Sequence, residues 1–359
     1  MFASKLLLKR SLKSLVALAN GFRRSKSDSL TILAYHRVAA DINEAERDSI
    51  RGLVISAESF RKHCLLLKEN FQVVNFENAM ISSKRETAKS RPLAVITFDD
   101  GYLDNYEKAF PILNELDLPA TIFLPSNLIG KNEILAHDKL FWLTKTAVET
   151  KRTGEIEAAL REINVEDANN IAAIRDVLKL TDKLVFLPFA SREKLISVLE
   201  KRLNVTKYPS HYGLMNWEMV REMSRNGITF GGHTANHPVL TLENDAVLHS
   251  EIVESKGVLE HHTNSQIGVF AYPNGKHNEN VLRHVKNAGY QIAVTTKRTI
   301  NRFGDNPLTL GRISLCEEST RGISGEFAQN IAVLRLNAVR TNKTSQIVEN
   351  KEILKKVGF

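Results

Sequence analysis

At 359 residues, 43% hydrophobic and 25% charged, the chain has room for one barrel-sized domain or two ordinary ones and the composition of a water-soluble globular protein, which excludes wholesale disorder, a collagen-like repeat and a disulfide scaffold. The formal charge of +8 sits at the ends, +6 over residues 1–28 and +4 over 331–359, which leaves −2 on everything between. The body is close to neutral and lacks basic patches interleaved with aromatics, so nucleic-acid binding is disfavoured.

In chain order, residues 2–19 come first. They place Lys5, Lys9 and Lys13 on one side of a helix and Leu8, Leu12, Leu15 and Ala19 on another. This basic amphipathic segment, 1–28, suits peripheral contact with an anionic membrane, or docking on its own domain. Its apolar stretches fall short of the roughly 20 residues of a membrane span. Basic residues recurring through Lys13 leave no signal-peptide core, so the expected location is cytoplasmic, peripheral at the membrane, with export left open.

From residue 30, short apolar runs alternate with helical patterns. Strands are predicted at Leu30–His36, Gln72–Asn75, Leu93–Phe98, Ala120–Leu124, Ile228–Gly232, Ile267–Tyr272, Gln291–Thr295 and Arg312–Leu315. Helices are predicted at Glu58–Asn70, Asn105–Leu116, Asn216–Asn226, Leu242–His262 and Asn278–Ala288. This rhythm predicts an α/β fold, a parallel sheet closed or nearly closed into a barrel of about seven to eight strands. Residues 131–215 break the rhythm with helical patterns alone, at Glu155–Ile163, Asp167–Leu180 and Arg192–Leu203. Such an insertion is expected over one barrel end, where loops carry function. The expected organisation is a segment 1–28, a barrel domain 29–320 containing the insertion 131–215, and a basic helical tail 321–359. Cys64 and Cys316 lie far apart without CxxC spacing and read as two buried thiols.

Two motifs carry chemistry. Thr97-Phe98-Asp99-Asp100-Gly101-Tyr102 ends a strand with adjacent carboxylates, and burying an unpaired charge costs several kcal/mol, so they need a cation or a proton. Gly101 can release the chain so that both reach one site. The plain alternative is a solvated turn. His233-Thr234-Ala235-Asn236-His237-Pro238 follows another strand. Its two imidazoles share a face if the segment makes one helical turn, and with a carboxylate from a second strand end they form a three-ligand metal set with open positions.

These residues resemble the first two signature motifs of the polysaccharide deacetylases, the NodB-homology family of carbohydrate esterases, over roughly residues 30–320. The resemblance implies a distorted (β/α) barrel and a divalent metal, zinc first, with cobalt, nickel or manganese also accommodated. It makes Asp100, His233 and His237 the ligands and Asp99 the general base. Gly268 to Gly275 resembles the third motif, in which the backbone N–H after Pro273, that of Asn274, helps stabilise the oxyanion. Ala271 stands where the family usually has an Arg that orients the base. The fourth motif has no match around Val294 to Thr299, and no His follows His284.

Ile32 to Val38, with His36, resembles the first strand of a subgroup with permuted motif order that modifies exopolysaccharides and keeps its acid His near the N-terminus. His36 is therefore the expected general acid. Arg312 is the expected orienting Arg, although it opens an apolar run; Arg37 is the competitor. Trp142 and Trp217 stack on sugar rings or pack in the core, and His261-His262 interacts with its own helix end. The function so implied is hydrolysis of N-acetyl groups on an N-acetylated glycan or a precursor of it. The alternatives are an inactive glycan-binding or scaffolding protein of the same fold and an O-acetyl esterase. The sugar, its linkage and the oligomeric state have no signal in the sequence.

Overall fold

The computed structural model describes residues 29–82, 91–322 and 324–337. The basic segment 1–28 and the tail beyond residue 337 lie outside the described residues. Within them, no helix is long and apolar enough to cross a membrane.

Seven strands form the frame: β1 Ser29–Tyr35, β2 Leu93–Phe98, β3 Thr121–Leu124, β4 Thr229–Gly232, β5 Val269–Ala271, β6 Ile292–Val294 and β7 Ile313–Ser314. From β1 to β6 each pairs in parallel with the next, and β7 pairs in parallel with β1. The ring closes at a thin seam, where Val294 bridges to Leu310 just ahead of β7. The expected distorted barrel is thus a curled, mostly parallel sheet of nine strands, seven of which make its frame. Gln72–Val73 adds a short parallel pairing beside β2, and Asn301–Arg302 an antiparallel one beside β1. β1 and β2 are buried along their whole length. That explains why they read as continuous apolar runs rather than alternating ones.

Helices cover the outside, and their starts follow from local chemistry. Ser56, Asn216 and Asn278 cap Ala57–Asn70, Trp217–Arg225 and Glu279–Asn287 by accepting the backbone N–H three residues on. The long pattern Leu242–His262 differs from expectation: a short 3-10 turn occupies Leu240–Leu242, and the helix begins at Asp245 behind the Asn244 cap.

The insertion is helical, as expected, and carries its own core, including Leu140, Leu143, Leu160, Leu180, Leu195 and Leu199. Asp167–Leu180 is not one helix. It divides into Ala168–Ala172 and Val177–Val185, because Asp176 accepts from the N–H of Lys179 and starts a new helix. The helix Ala136–Glu149 carries Trp142. Of the two thiols, Cys64 is buried, whereas Cys316 is half-buried at the start of a short helix.

Candidate active site

Asp99 and Asp100 leave the carboxyl end of β2 and are both buried. The backbone turns at once, with φ of 77° at Asp100 and 69° at Gly101. The release from the strand therefore starts one residue earlier than the glycine. Gly101 is needed both for that angle and for space, since a Cβ there would lie 2.7 Å from Leu124 Cδ2.

Arg312, only 1% exposed, holds Asp99 in a fork: Nη1 and Nη2 donate to Oδ1 and Oδ2, each at 2.6 Å. Its Nε donates to the Thr295 carbonyl at 3.1 Å. A residue that opens a strand reaches a site at the strand ends because β7 is offset. Ile313 lies beside Leu33, late in β1, so β7 begins near the carboxyl end of the barrel. Burial alone would raise the Asp99 carboxyl; the Arg312 charge and hydrogen bonds outweigh it and hold Asp99 below the usual carboxylate range. Arg37, the competitor, is engaged elsewhere, on Asp104, Ser49 and the His211 carbonyl.

Asp100, His233 and His237 converge, with one ligand atom from each lying within 4.8 Å of the others. Asp100 Oδ1 is 3.5 Å from His233 Nε2 and 3.4 Å from His237 Nε2. The segment does not make the helical turn considered above. Thr234 and His237 adopt left-handed φ of 69° and 57°. The bend is held by Glu251, which accepts from the N–H groups of Ala235 and Asn236 and from Asn236 Nδ2.

A divalent ion fits this set on three observations. Asp100 Oδ1 is buried with no hydrogen-bond partner among the described residues. His233 Nδ1 lies 2.7 Å from the Ala271 carbonyl, which fixes the tautomer and turns the Nε2 lone pair inward. Burial, with Asp99 and Asp138 nearby, pushes the Asp100 carboxyl well above its usual range, and burial pushes both imidazoles down. A pocket whose own groups all favour the neutral state lacks a positive charge.

His36 follows β1, with its side chain 20% exposed and Nε2 3.7 Å from Asp99 Oδ2. Its carbonyl accepts from Asn105 Nδ2 at 2.7 Å, which fixes the backbone there. Burial pushes its imidazole down to about 4, against the pull of Asp99. Asn274 lies in the turn directly after β5, at φ 54°, with its side-chain Nδ2 buried and unpartnered among the described residues. Trp217 is a packing residue: it stacks on His262 at 4.0 Å between ring centroids and 7° between planes. The same contact accounts for His262. Trp142 lies under Lys145.

Three residues that sequence reasoning did not single out also shape the site, and all come from the insertion. His137 Nε2 lies 3.9 Å from Asp100 Oδ2, and its ring meets that of His237 edge-on at 5.3 Å. Asp138 accepts from the Tyr102 hydroxyl at 2.8 Å. Arg192, buried, donates to the His237 carbonyl at 3.0 Å. The available signal was His-Asp directly ahead of an apolar helical run, in a segment expected to overlie the barrel end.

Comparison with known proteins bears on the family and the fold. A family model described as polysaccharide deacetylase matches residues 86–293. YxkH of Bacillus subtilis (strain 168) is 22% identical over 276 residues, 77% of this chain and 67% of that protein. The poly-beta-1,6-N-acetyl-D-glucosamine N-deacetylase of Staphylococcus aureus (strain N315) is 24% identical over 246 residues, 66% of this chain and 82% of that one. Among solved structures, Streptococcus pyogenes deacetylase PplD in complex with acetate aligns with a TM-score of 0.54 at 18% identity, covering 83% of this chain and 96% of that one. IcaB from Ammonifex degensii aligns at 0.52 and 17%, with 83% and 96% covered. These two likenesses bear on the fold. The family match spans more than half of the sequence and takes in the Asp-Asp strand end, both histidines and the turn after β5, and the chain belongs to the polysaccharide deacetylase family.

Proposed function

We propose that this chain is a metal-dependent hydrolase that removes N-acetyl groups from amino sugars of a poly-N-acetylglucosamine type of glycan. The observation that carries the reading is Asp99, forked by Arg312 and flanked by His36, standing next to the Asp100–His233–His237 set at one barrel end. The substrate class is supported by the relative that acts on poly-β-1,6-N-acetyl-D-glucosamine. An inactive scaffold would lack an orienting Arg and an acid His; Arg312 on Asp99 and His36 beside it argue against that alternative.

A divalent ion held by Asp100, His233 and His237, zinc or one of cobalt, nickel and manganese, supplies Lewis acidity toward the acetyl carbonyl and acidifies water. Asp99 takes the proton of the attacking water, and Arg312 fixes both carboxylate oxygens so that the acceptor needs no reorganisation. His36, 3.7 Å from Asp99 Oδ2, is placed to receive that proton and deliver it to the departing amine. The role left to the Asn274 backbone N–H, in the turn after β5, is to donate to the developing oxyanion. The products are acetate and a free amino sugar.

The test is acetate release from a β-1,6-linked N-acetylglucosamine oligomer by protein stripped with a chelator and reloaded with each of the four metals. Release only after reloading supports the reading; none with any metal or N-acetylated oligomer overturns it, and release from O-acetyl esters alone makes the protein an esterase. We also propose the domain boundaries given above, with residues 1–28 making peripheral contact with an anionic membrane. The full chain should sediment with phosphatidylserine vesicles and a chain lacking 1–28 should not.

A further inference from the structure

We propose that His137, carried into the site by the insertion, is a substrate-binding residue whose Nδ1 accepts a hydrogen bond from a hydroxyl of the sugar being deacetylated. This rests on the deacetylase reading above and adds to it the residue through which the insertion touches the substrate.

The argument is a count of protons. Tyr102 has one hydroxyl proton, and it is donated to Asp138 Oδ2 at 2.8 Å. The same hydroxyl lies 2.9 Å from His137 Nε2. With its proton committed to a carboxylate, Tyr102 Oη can only accept on that side, so Nε2 carries the imidazole hydrogen and donates it. Neutral His137 then presents Nδ1 as its lone-pair nitrogen.

Tyr102 is fully buried and Asp138 nearly so. The chain Asp138–Tyr102–His137 therefore holds both the tautomer and the orientation of the ring. Such an arrangement is costly in a protein interior unless something uses it, because Asp138 Oδ1 is left buried with no partner among the described residues. The ring itself is not sealed in: 10% of the His137 side chain stays open, while its Nε2 lies 3.9 Å from Asp100 Oδ2 and the ring meets that of His237 edge-on. A fixed acceptor with an open edge next to the metal set, on an uncharged imidazole, suits a neutral hydroxyl donor. A sugar has such donors around the ring and an acetyl group has none.

Histidine can be dissected by nitrogen. In His137→Asn the amide oxygen can stand near the Nδ1 position, whereas in His137→Gln the terminal amide stands near Nε2 and keeps only the contact with Tyr102. Affinity for a β-1,6-linked N-acetylglucosamine pentamer is measured by calorimetry on the metal-loaded full chain carrying Asp99→Asn, which blocks turnover, with metal content determined for each protein. Kinetics are run in parallel with Asp99 intact.

The expected result is a Kd about tenfold weaker for His137→Gln and His137→Leu, one hydrogen bond's worth, with recovery of most of the loss in His137→Asn and full metal content throughout. Tyr102→Phe should weaken binding as well, since it frees the tautomer. In the kinetics KM should rise more than kcat falls. The proposal is overturned if His137→Gln binds like the parent and His137→Asn does not, if all variants bind alike, or if the loss follows metal content, which would make His137 a support of the metal set. A parent protein that releases no acetate from the pentamer defeats the deacetylase reading instead, and the two failures are told apart by that control.

Discussion

At the scale of single residues, Asp99 and Asp100 are neighbours with opposite environments. Asp99 faces a buried guanidinium at 2.6 Å through both oxygens, whereas Asp100 Oδ1 faces the imidazoles of His233 and His237 and has no hydrogen-bond partner among the described residues. Asp99→Asn should keep the metal and abolish turnover, whereas His233→Ala should lose the metal. Metal analysis beside acetate release separates them, and equal metal loss in both variants defeats the division of roles. Arg312→Met should cost about 3–5 kcal/mol of stability, because it leaves Asp99 buried and unpaired. Adding Asp99→Asn to Arg312→Met should recover part of that stability while activity stays absent; a double variant no more stable than the single one would show that the arginine acts through packing. His36→Ala should lower turnover by about two to four orders of magnitude, the usual contribution of a general acid. Unchanged turnover would return His36 to a structural role.

At the scale of elements, the site is held by residues that are not themselves metal ligands. The bend 233–237 depends on Glu251, whose two carboxylate oxygens satisfy three N–H donors on Ala235 and Asn236. Residues that orient metal ligands typically carry about 10- to 100-fold in metal affinity. Glu251→Ala should therefore weaken metal binding by that factor in a competition titration, although Glu251 is not a ligand. Retained affinity would mean that the other contacts on the bend suffice, Arg192 on the His237 carbonyl and the Thr234 hydroxyl that accepts from the His237 N–H among them.

The strand ends of the site were legible because a buried parallel strand is an apolar run, and an Asp-Asp-Gly or a His at its end stands out. The bend was not, since i and i+4 spacing suggests a helical turn and nothing local announces left-handed residues at Thr234 and His237. Arg312 was legible only as a vacancy to be filled. Its partner lies 213 residues away, and the offset of β7 against β1 that brings them together is a property of the closed sheet. His137 and Asp138 were hidden for a similar reason: their meaning comes from Tyr102, on another element.

At the scale of the whole molecule, the chain closes on itself away from the site. His63, in the helix Ala57–Asn70, lies 3.1 Å from the Tyr35 hydroxyl of β1 on one side and 3.1 Å from Thr320 Oγ1 on the other. Nearby Glu317 accepts from the Ser56 N–H and the Ser59 hydroxyl. The short helix Glu317–Thr320 is thus clasped to the helix Ala57–Asn70 through a buried imidazole. Burial pushes His63 down to about 3, against about 6.5 in the unfolded chain. Between those values the unfolded state binds a proton that the native state does not. The clasp therefore contributes fully above pH 6.5, and its contribution falls as pH drops toward 3, by at most about 1.4 kcal/mol per pH unit. Replacing the group removes that slope: His63→Gln should be less stable than the parent at pH 7 but lose less between pH 6.5 and 4, by about one proton in the pH dependence of urea unfolding. Parallel pH profiles for the two proteins would show that the acid sensitivity of the fold lies in its other buried histidines and not in this clasp.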